Sequence, residues 1–451
     1  MALENIKTIV LLMFENRSFD HMLGHLRYEG LQPDADGLQE PLDQYENIYQ
    51  GGSYRPFPIS NDVQLPFDIP HEYNDIKTQL ARSPVNGALS MNGFVAAYAD
   101  TTGITPNPQA EPMGFFSSSQ VPITSFLAQQ FCTCDRWFSS LPTSTQPNRT
   151  IAFCGETPIY KTGLQVISAK GNLFDWLDSN QVSWRVYHDG FSFFSLYPGL
   201  WDQVLSKNFR DYENLYSDML HNDGLPQVII VEPTYQDAPH IGSDHPNDNH
   251  APLAIGWGED FLRRTYEAAI ANPSVWRETL MVVYYDEHGG FYDHVAPPDF
   301  TSRTTANPPF TFDSFGARIP GMLLSPWVQP GTVCHELFDH TSVLQFLAER
   351  FTPDVPYSPA VAARAAAQPA IKSISAALNA TPATGGPPPP PAAPILVYSA
   401  LGDTIATAPE SAMGQSFEQA AREMIAQRPE GVREKYPELY QWQAAVDQAR
   451  D

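Results

Sequence analysis

Two unbroken apolar runs, far apart in the chain, both end directly in acidic and amide residues. Ile9–Phe14 is followed by Glu15–Asn16, and Leu280–Tyr285 is followed by Asp286–Glu287. Short apolar runs bounded by turn signals are typical of buried strands in a parallel sheet. Because ligands bind past the carboxyl ends of such strands, we expect both runs to deliver their side chains to one rim. Oxygen ligands gathered there indicate a divalent cation, so the sequence predicts a metal site on an α/β sheet.

Further segments predict the rest of an α/β protein. Additional strands are predicted at Gln181–Tyr187, Gln227–Val231 and Gly321–Ser325. Helical apolar spacing occurs at Ile123–Gln130, Gly258–Ala271 and Thr341–Phe351. Strands that alternate with helices and long loops are the α/β pattern. Two of these strands end at His188 and Glu232, which would extend the polar rim, although Glu232 is interpreted as a capping residue.

The domain organisation follows from size and composition. The chain has 451 residues, 42% of them hydrophobic, which suffices for a large core. We predict a catalytic domain over 1–380, a Pro-rich linker over 381–394 and a helical tail over 395–451. Five consecutive prolines from Pro387 indicate a semi-rigid linker. Two alternatives stay open for the tail, which either packs on the body or is tethered and partly disordered.

The charge balance constrains the partners. Asp and Glu number 51 against 26 Lys and Arg, a formal net charge of −25. This disfavours nucleic acid, whose phosphates need basic neutralisation, and tight docking on an anionic membrane. No apolar stretch approaches the length of a membrane span, so no transmembrane segment is expected. With no recognisable signal peptide, the sequence as it stands predicts a cytoplasmic protein; secretion by a signal-independent route or a processed form are the alternatives. The sequence leaves the oligomeric state open.

A hydroxyl-rich segment supplies a candidate nucleophile. Thr143–Thr145 stands shortly before Pro147 and Arg149. A hydroxyl bound to a divalent cation loses its proton near neutral pH, because the metal stabilises the alkoxide. Pro147 would stiffen the turn, and Arg149 would pair with carboxylates or phosphate in a fork. By residue types alone such a segment is most often only a turn, so its interpretation depends on the other motifs.

Three motifs together resemble one family. Glu15–Asp20, Thr145–Arg149 and Tyr285–Val295 are similar, in sequence and order, to the signature blocks of bacterial and fungal phosphoesterases. That family contains the non-haemolytic-type phospholipases C and the acid phosphatase A type. The resemblance runs from Ile6 to Phe351. It implies an alkaline-phosphatase-like, three-layer α/β/α sandwich with a mainly parallel central sheet and long loops over the carboxyl rim of the strands.

The resemblance also implies roles for matching residues. The metal ligands it implies are Glu15, Asn16, Thr145, Asp286 and Glu287. The catalytic residues it implies are Thr145 as nucleophile and, around the phosphoryl group, Asn16, His71, His188 and His245. His245 would protonate the leaving oxygen; His250 is its alternative, and His288 is a possible further ligand. The oxygen-rich set admits Ca²⁺, Mg²⁺, Mn²⁺ or Zn²⁺.

These roles predict metal-dependent hydrolysis of a phosphate ester through a phosphothreonine intermediate. The favoured reaction is phospholipase C-like cleavage of a phospholipid diester. One alternative is a broad-specificity acid phosphatase that acts on monoesters. The other is a non-catalytic, metal-binding interaction protein. The expected partner is accordingly a phospholipid or a small phosphate ester.

Overall fold

An eight-stranded, mainly parallel sheet forms the centre of the protein. The computed structural model describes residues 3–59, 68–163, 167–168, 170–222, 224–241, 245–392 and 411–450. The strands of this sheet and of three small two-stranded sheets are β1 Thr8–Phe14, β2 Asn47–Tyr49, β3 Gly52–Tyr54, β4 Phe57–Pro58, β5 Gly114–Phe115, β6 Cys132–Cys134, β7 Trp184–His188, β8 Phe209–Asp211, β9 Val228–Glu232, β10 Thr279–Tyr285, β11 Asp299–Arg303, β12 Thr311–Ser314, β13 Gly321–Leu324 and β14 Thr332–Cys334. The central order is β14-β6-β13-β10-β1-β9-β7-β8. Within these described strands, β13 is antiparallel to both neighbours and the other seven run in one direction.

Helices cover both faces of this sheet. The α-helices of the described residues are α1 Phe19–Leu23, α2 His25–Tyr28, α3 Tyr73–Leu80, α4 Phe94–Thr102, α5 Pro122–Gln130, α6 Thr145–Cys154, α7 Leu173–Ser179, α8 Trp201–Val204, α9 Leu215–His221, α10 Gly256–Ile270, α11 Pro273–Trp276, α12 Thr341–Phe351, α13 Pro359–Ala365, α14 Ala412–Gln427, α15 Pro429–Lys435 and α16 Glu438–Arg450. Successive side chains of a strand point to opposite faces. Tyr285 packs on Phe14, which meets Phe261 of α10, whereas the Tyr284 ring lies 6.2 Å from His340 beside α12. The predicted three-layer α/β/α sandwich is therefore confirmed.

The first strand lies at the middle of the sheet, between β9 and β10. All seven residues of β1 and all seven of β10 are buried. Burial on both faces explains why these strands are apolar throughout rather than alternating. Their parallel register places Phe14 opposite Tyr285. The residues that follow these two therefore leave the sheet side by side at the same rim.

Local structure departs from the sequence prediction at the hydroxyl-rich segment. Thr145 begins α6, whereas a turn was expected. Pro147 lies in the first helical turn, where a backbone N–H has no intrahelical partner to lose. The short strands β6, β8 and β14 were also not predicted, because three residues each are too short for a periodic signal.

The C-terminal helices pack on the body. Phe417 of α14 is fully buried and Tyr436 nearly so, and both belong to the main hydrophobic core. Of the two alternatives for the tail, packing on the body is the one found for residues 411–450. Residues 393–410 lie outside the described residues, so the domain boundaries at 380 and 394 stay predictions. Among the described helices, none combines the length and apolar character needed to cross a bilayer.

Candidate active site

Two acidic loops meet at the rim where β1 and β10 end. The Asn16 backbone N–H donates to Oδ1 of Asp286 at 3.1 Å, and the Arg17 N–H donates to the Glu287 carbonyl at 3.1 Å. Glu15 lies next to Asn16 in this junction, and all five residues are buried. The sequence expectation that both motifs deliver side chains to one place is met in the structure.

The two loops approach too closely for a side chain at Gly289. Gly289 has a φ of 61°, and a Cβ there would lie 2.0 Å from the Asn16 carbonyl oxygen. Asn16 itself adopts a left-handed φ of 59°, which asparagine tolerates better than most residues. This glycine is therefore required for the close contact between the loops.

Thr145 brings its hydroxyl to these loops from the N-terminus of α6. Its Oγ1 lies 3.4 Å from Oδ1 of Asn16, and the side chain is buried. Free N–H groups and the positive end of the helix dipole favour negative charge at this position. Ser144, just before it, donates to Oε2 of Glu72 at 2.9 Å and contacts the hydroxyl of Thr162 at 3.0 Å. The Thr145 hydroxyl is thus fixed at the N-terminus of α6.

Arg149 lies one turn further along α6 and pairs with two of the carboxylates. Its guanidinium is 3.2 Å from Oε1 of Glu15 and donates to Oδ2 of Asp286 at 3.0 Å. It also donates to the Tyr235 hydroxyl at 3.0 Å and lies 4.9 Å from the ring centre of Phe193. Of the two partners expected for this fork, carboxylates are the ones that Arg149 contacts.

Two histidines contact the Asn16 amide. Nε2 of His71 lies 3.2 Å from Nδ2 of Asn16, and Nε2 of His250 lies 2.8 Å from it. On its other side, Nδ1 of His250 is 3.2 Å from Oε2 of Glu15 and 3.7 Å from Oδ2 of Asp237. Both imidazoles therefore lie beside the Asn16 amide at this rim.

Burial and charge compete over the protonation of these groups. Burial opposes a charge on His71, but Asp68 and Glu287 outweigh it and raise its pKa to about 9. Burial likewise opposes a charge on His250, and Asp68 and Glu15 raise its pKa well above the usual value. Burial raises the pKa of Glu287 to about 8. The surrounding carboxylates thus raise the pKa of both imidazoles.

The other two predicted histidines are placed differently. Of the alternatives His245 and His250, His250 is the one that contacts Asn16, whereas His245 stacks on Trp257 at 4.3 Å.

His188 does end a strand, as predicted, but its ring packs 5.5 Å from that of Tyr436 and lines a separate cleft. Burial lowers the pKa of His188 to about 4, so it is neutral there. His188 is two strands away from β1, too far along the rim to serve Thr145 in this arrangement. A catalytic role for His188 is therefore not supported by its position.

The donor set suits a divalent cation. Among the described residues, no group donates a hydrogen bond to Oε1 of Glu287, although this atom is buried. Such an uncompensated carboxylate oxygen is suited to a hard or borderline cation. Groups of acidic and histidine side chains close enough to share an ion are Glu15–Asp248–His250 and Asp68–His71–His250. Of the predicted carboxylate ligands, Glu15 belongs to one of these groups, whereas Asp286 and Glu287 belong to neither, so their role as ligands stays a prediction. Asp68 and Asp248 were missed because neither follows an apolar run that would mark a strand end.

A third acidic group at this end of the molecule is already neutralised. Arg318 pairs with Oδ1 of Asp293 at 2.9 Å and with Oδ1 of Asp20 at 3.1 Å. His294 adds a contact to Oδ2 of Asp20 at 2.7 Å. These motif residues therefore join the loop after β1 to the loop after β10, and they act on the site through backbone placement.

Sequence comparison agrees with this fold and site. The phosphoesterase family model matches residues 6–354. Non-specific phospholipase C3 of Arabidopsis thaliana is 33% identical over 379 residues, which cover 77% of this chain and 69% of that protein. Non-hemolytic phospholipase C of Burkholderia pseudomallei is 27% identical over 417 residues, covering 78% of this chain and 56% of that protein. The chain thus spans about two thirds or less of the length of most of these relatives.

The chain belongs to the phosphoesterase family, a class of hydrolases that act on phosphate ester bonds. The predicted family resemblance is confirmed. Among solved structures, an alkaline phosphatase superfamily protein from Vibrio parahaemolyticus is similar at 12% identity and a TM-score of 0.33, covering 54% of this chain and 63% of that chain. That likeness is distant and carries no argument about function.

Proposed function

We propose that the protein is a metal-dependent phosphoesterase that cleaves phospholipid diesters in the manner of a phospholipase C. The observation that carries this proposal is the position of the Thr145 hydroxyl. It lies 3.4 Å from Asn16 at a helix N-terminus, beside an acidic rim suited to a cation. A nucleophile, a site for charge neutralisation and two imidazole donors are the parts that phosphoryl transfer requires.

The chain's own residues account for each step. Glu15, Asn16, Asp286 and Glu287 would hold a divalent cation, which when bound lowers the pKa of a hydroxyl and neutralises phosphoryl charge. The Thr145 hydroxyl would release its proton to solvent, and Oγ1 as the oxyanion would form a bond to phosphorus while the bond from phosphorus to the glycerol oxygen breaks. The N-terminus of α6 and His71 would stabilise charge on the phosphoryl oxygens.

Proton transfer completes the cycle. His250, whose Nδ1 lies beside Glu15 and Asp237, would donate a proton to the departing glycerol oxygen and so release diacylglycerol. Its neutral ring then accepts a proton from water, whose oxygen attacks the phosphothreonine. The bond from phosphorus to Oγ1 breaks, the head group leaves as a phosphomonoester, and Thr145 is restored.

An aromatic group beside the nucleophile favours a lipid over a small monoester. The Tyr160 ring stacks on Phe310 at 4.4 Å, and Tyr73 meets Phe310 edge-on at 5.0 Å. Thr143, two residues before Thr145, donates to the Tyr160 carbonyl at 2.7 Å. Aromatic surface of this kind gains from contact with the apolar part of a lipid. The names of the plant and bacterial relatives point to the same substrate class.

Product analysis tests the proposal. Metal-replete protein is incubated with phosphatidylcholine and, separately, with p-nitrophenyl phosphate, with and without a chelator. We expect diacylglycerol and phosphocholine, lost on chelation and in Thr145→Ala, and retained in Thr301→Ala, a control at an exposed threonine of β11. Hydrolysis of the monoester alone would favour the acid phosphatase, and turnover of neither substrate would favour the non-catalytic protein.

A further inference from the structure

Helix α14 contacts residues next to the active site, although it lies outside the part of the sequence that matches the family. The family match ends at residue 354, whereas α14 spans Ala412–Gln427. Three residues at its start face the body. They are Ser411, which caps the helix, Met413 and Phe417.

Phe417 closes an aromatic enclosure around Arg149. Its ring stacks on Tyr235 at 6.0 Å and meets Phe193 edge-on at 6.3 Å. The same two rings flank the guanidinium, whose carbon lies 4.9 Å from the centre of Phe193 and 5.0 Å from that of Tyr235. Arg149 in turn pairs with Glu15 and Asp286. One buried ring of α14 is thus three contacts away from two predicted metal ligands.

Two further contacts reach other parts of the same site. Nε2 of Gln146, the residue after Thr145, lies 3.6 Å from Sδ of Met413. The Ser411 hydroxyl donates to Oδ1 of Asp237 at 2.7 Å, and Oδ2 of Asp237 lies 3.7 Å from Nδ1 of His250. Met413 thus contacts the residue after Thr145, and Phe417 contacts the rings that flank Arg149. Ser411, the cap of α14, contacts the carboxylate near His250.

We propose that α14 is a positioning element of the active site, with Phe417 fixing the guanidinium of Arg149 against Glu15 and Asp286. Met413 and Ser411 are positioning residues for the first turn of α6 and for His250. This inference rests on the proposed function, and it adds a C-terminal element to a site otherwise formed by the family region. None of the three residues contacts the reacting atoms, so each acts through a neighbour.

A pair of variants in one helix separates positioning from packing. Phe417→Ala removes the ring beside Tyr235, and Met424→Ala removes a fully buried side chain two turns further along α14. For a soluble phosphate ester we expect Phe417→Ala to lower kcat roughly 10- to 100-fold with little change in KM, because small misplacements have effects of that size. Met424→Ala should lose comparable thermal stability yet keep kcat.

Two more variants check the same idea. Phe417→Leu retains most of the packed volume and should recover the larger part of kcat. Ser411→Gly removes the hydroxyl at little cost to the cap of α14, because glycine is tolerated at that position, and should still lower kcat, by about threefold if the hydrogen bond to Asp237 contributes about 0.7 kcal/mol. Equal effects of Phe417→Ala and Met424→Ala on kcat would overturn the proposal.

A binding measurement keeps the two hypotheses distinguishable. If the unmodified protein hydrolyses no ester, the proposed function fails, and titration with Mn²⁺ alone decides the role of α14. We then expect Phe417→Ala to weaken Mn²⁺ binding about tenfold, since groups that orient metal ligands have effects of this order. Unchanged binding in Phe417→Ala, or the same loss in Met424→Ala, would refute the positioning role.

Discussion

Arg149 is fully buried and faces two carboxylates, so its removal should destabilise the fold. Arg149→Ala leaves Glu15 and Asp286 buried without their counter-charge. We expect a loss of about 3–5 kcal/mol in the free energy of unfolding, measured by urea denaturation of metal-free protein. Arg55→Ala is the matched control, because Arg55 pairs with Asp43 at the surface and should show no measurable change. A loss in Arg149→Ala no greater than that of the control would contradict the buried pairing.

Substitution of Tyr160 tests whether the aromatic group that it forms with Phe310 and Tyr73 binds lipid. Its side chain is 38% exposed beside the nucleophile, whereas Tyr216, 52% exposed, lies on α9. Tyr160→Ala should raise KM for phosphatidylcholine vesicles about three- to tenfold, because an aromatic contact contributes about 0.5–1.5 kcal/mol. Its KM for p-nitrophenyl phosphate should stay the same, as should both constants in Tyr216→Ala. Equal changes on both substrates would exclude a lipid-specific role.

At the scale of elements, the sequence was most informative where a strand is buried on both faces. β1 and β10 were predicted within one residue at each end because an apolar run bounded by acids has few alternatives. α12 was predicted over its full span of Thr341–Phe351, since its apolar spacing is regular. Helix α6 was not predicted. Pro147 and the hydroxyl residues before it are typical of a turn, and they also fit the first turn of a helix, which is where the structure places them.

The site could be predicted only where its residues belong to motifs. Glu15, Asn16, Asp286 and Glu287 share a rim because of strand register, which the apolar runs indicate. Asp237 was unpredictable because it reaches His250 through tertiary packing that no local pattern encodes. Roles in catalysis stay predictions for all of them.

The ion pairs between the loops after β1 and β10 should make stability depend on pH. Burial opposes a charge on His294, but Asp20 and Asp36 outweigh it and raise its pKa to about 9 from a reference of 6.5. A raised folded-state pKa stabilises the fold fully below the unfolded value and loses that effect as pH rises through the folded value. His294→Gln should therefore cost most stability below about pH 6.5, and the deficit should shrink as pH rises to about 9 and be small beyond that. Unfolding free energies of both proteins across that range test this, and a deficit that grows with pH would contradict the assignment.

At the scale of the whole molecule, metal binding should be visible as stability. The chain carries a net charge of −25, and a cation that binds the folded acidic rim shifts the unfolding equilibrium by mass action. At a free Mn²⁺ concentration of 100 times Kd we expect about 2.7 kcal/mol of added stability, removed by a chelator. Asp286→Asn should lose most of this increment. If Mn²⁺ stabilises Asp286→Asn as much as the unmodified protein, the ion does not bind at the loop after β10.

The central position of β1 has a consequence for synthesis of the chain. Thr8–Phe14 is synthesised more than 200 residues before either of its neighbours, Val228–Glu232 and Thr279–Tyr285. The first strand therefore has no partner in the central sheet until that length of chain has been added. During this interval the six apolar residues Ile9–Phe14 are available to chaperones or to nonspecific self-association.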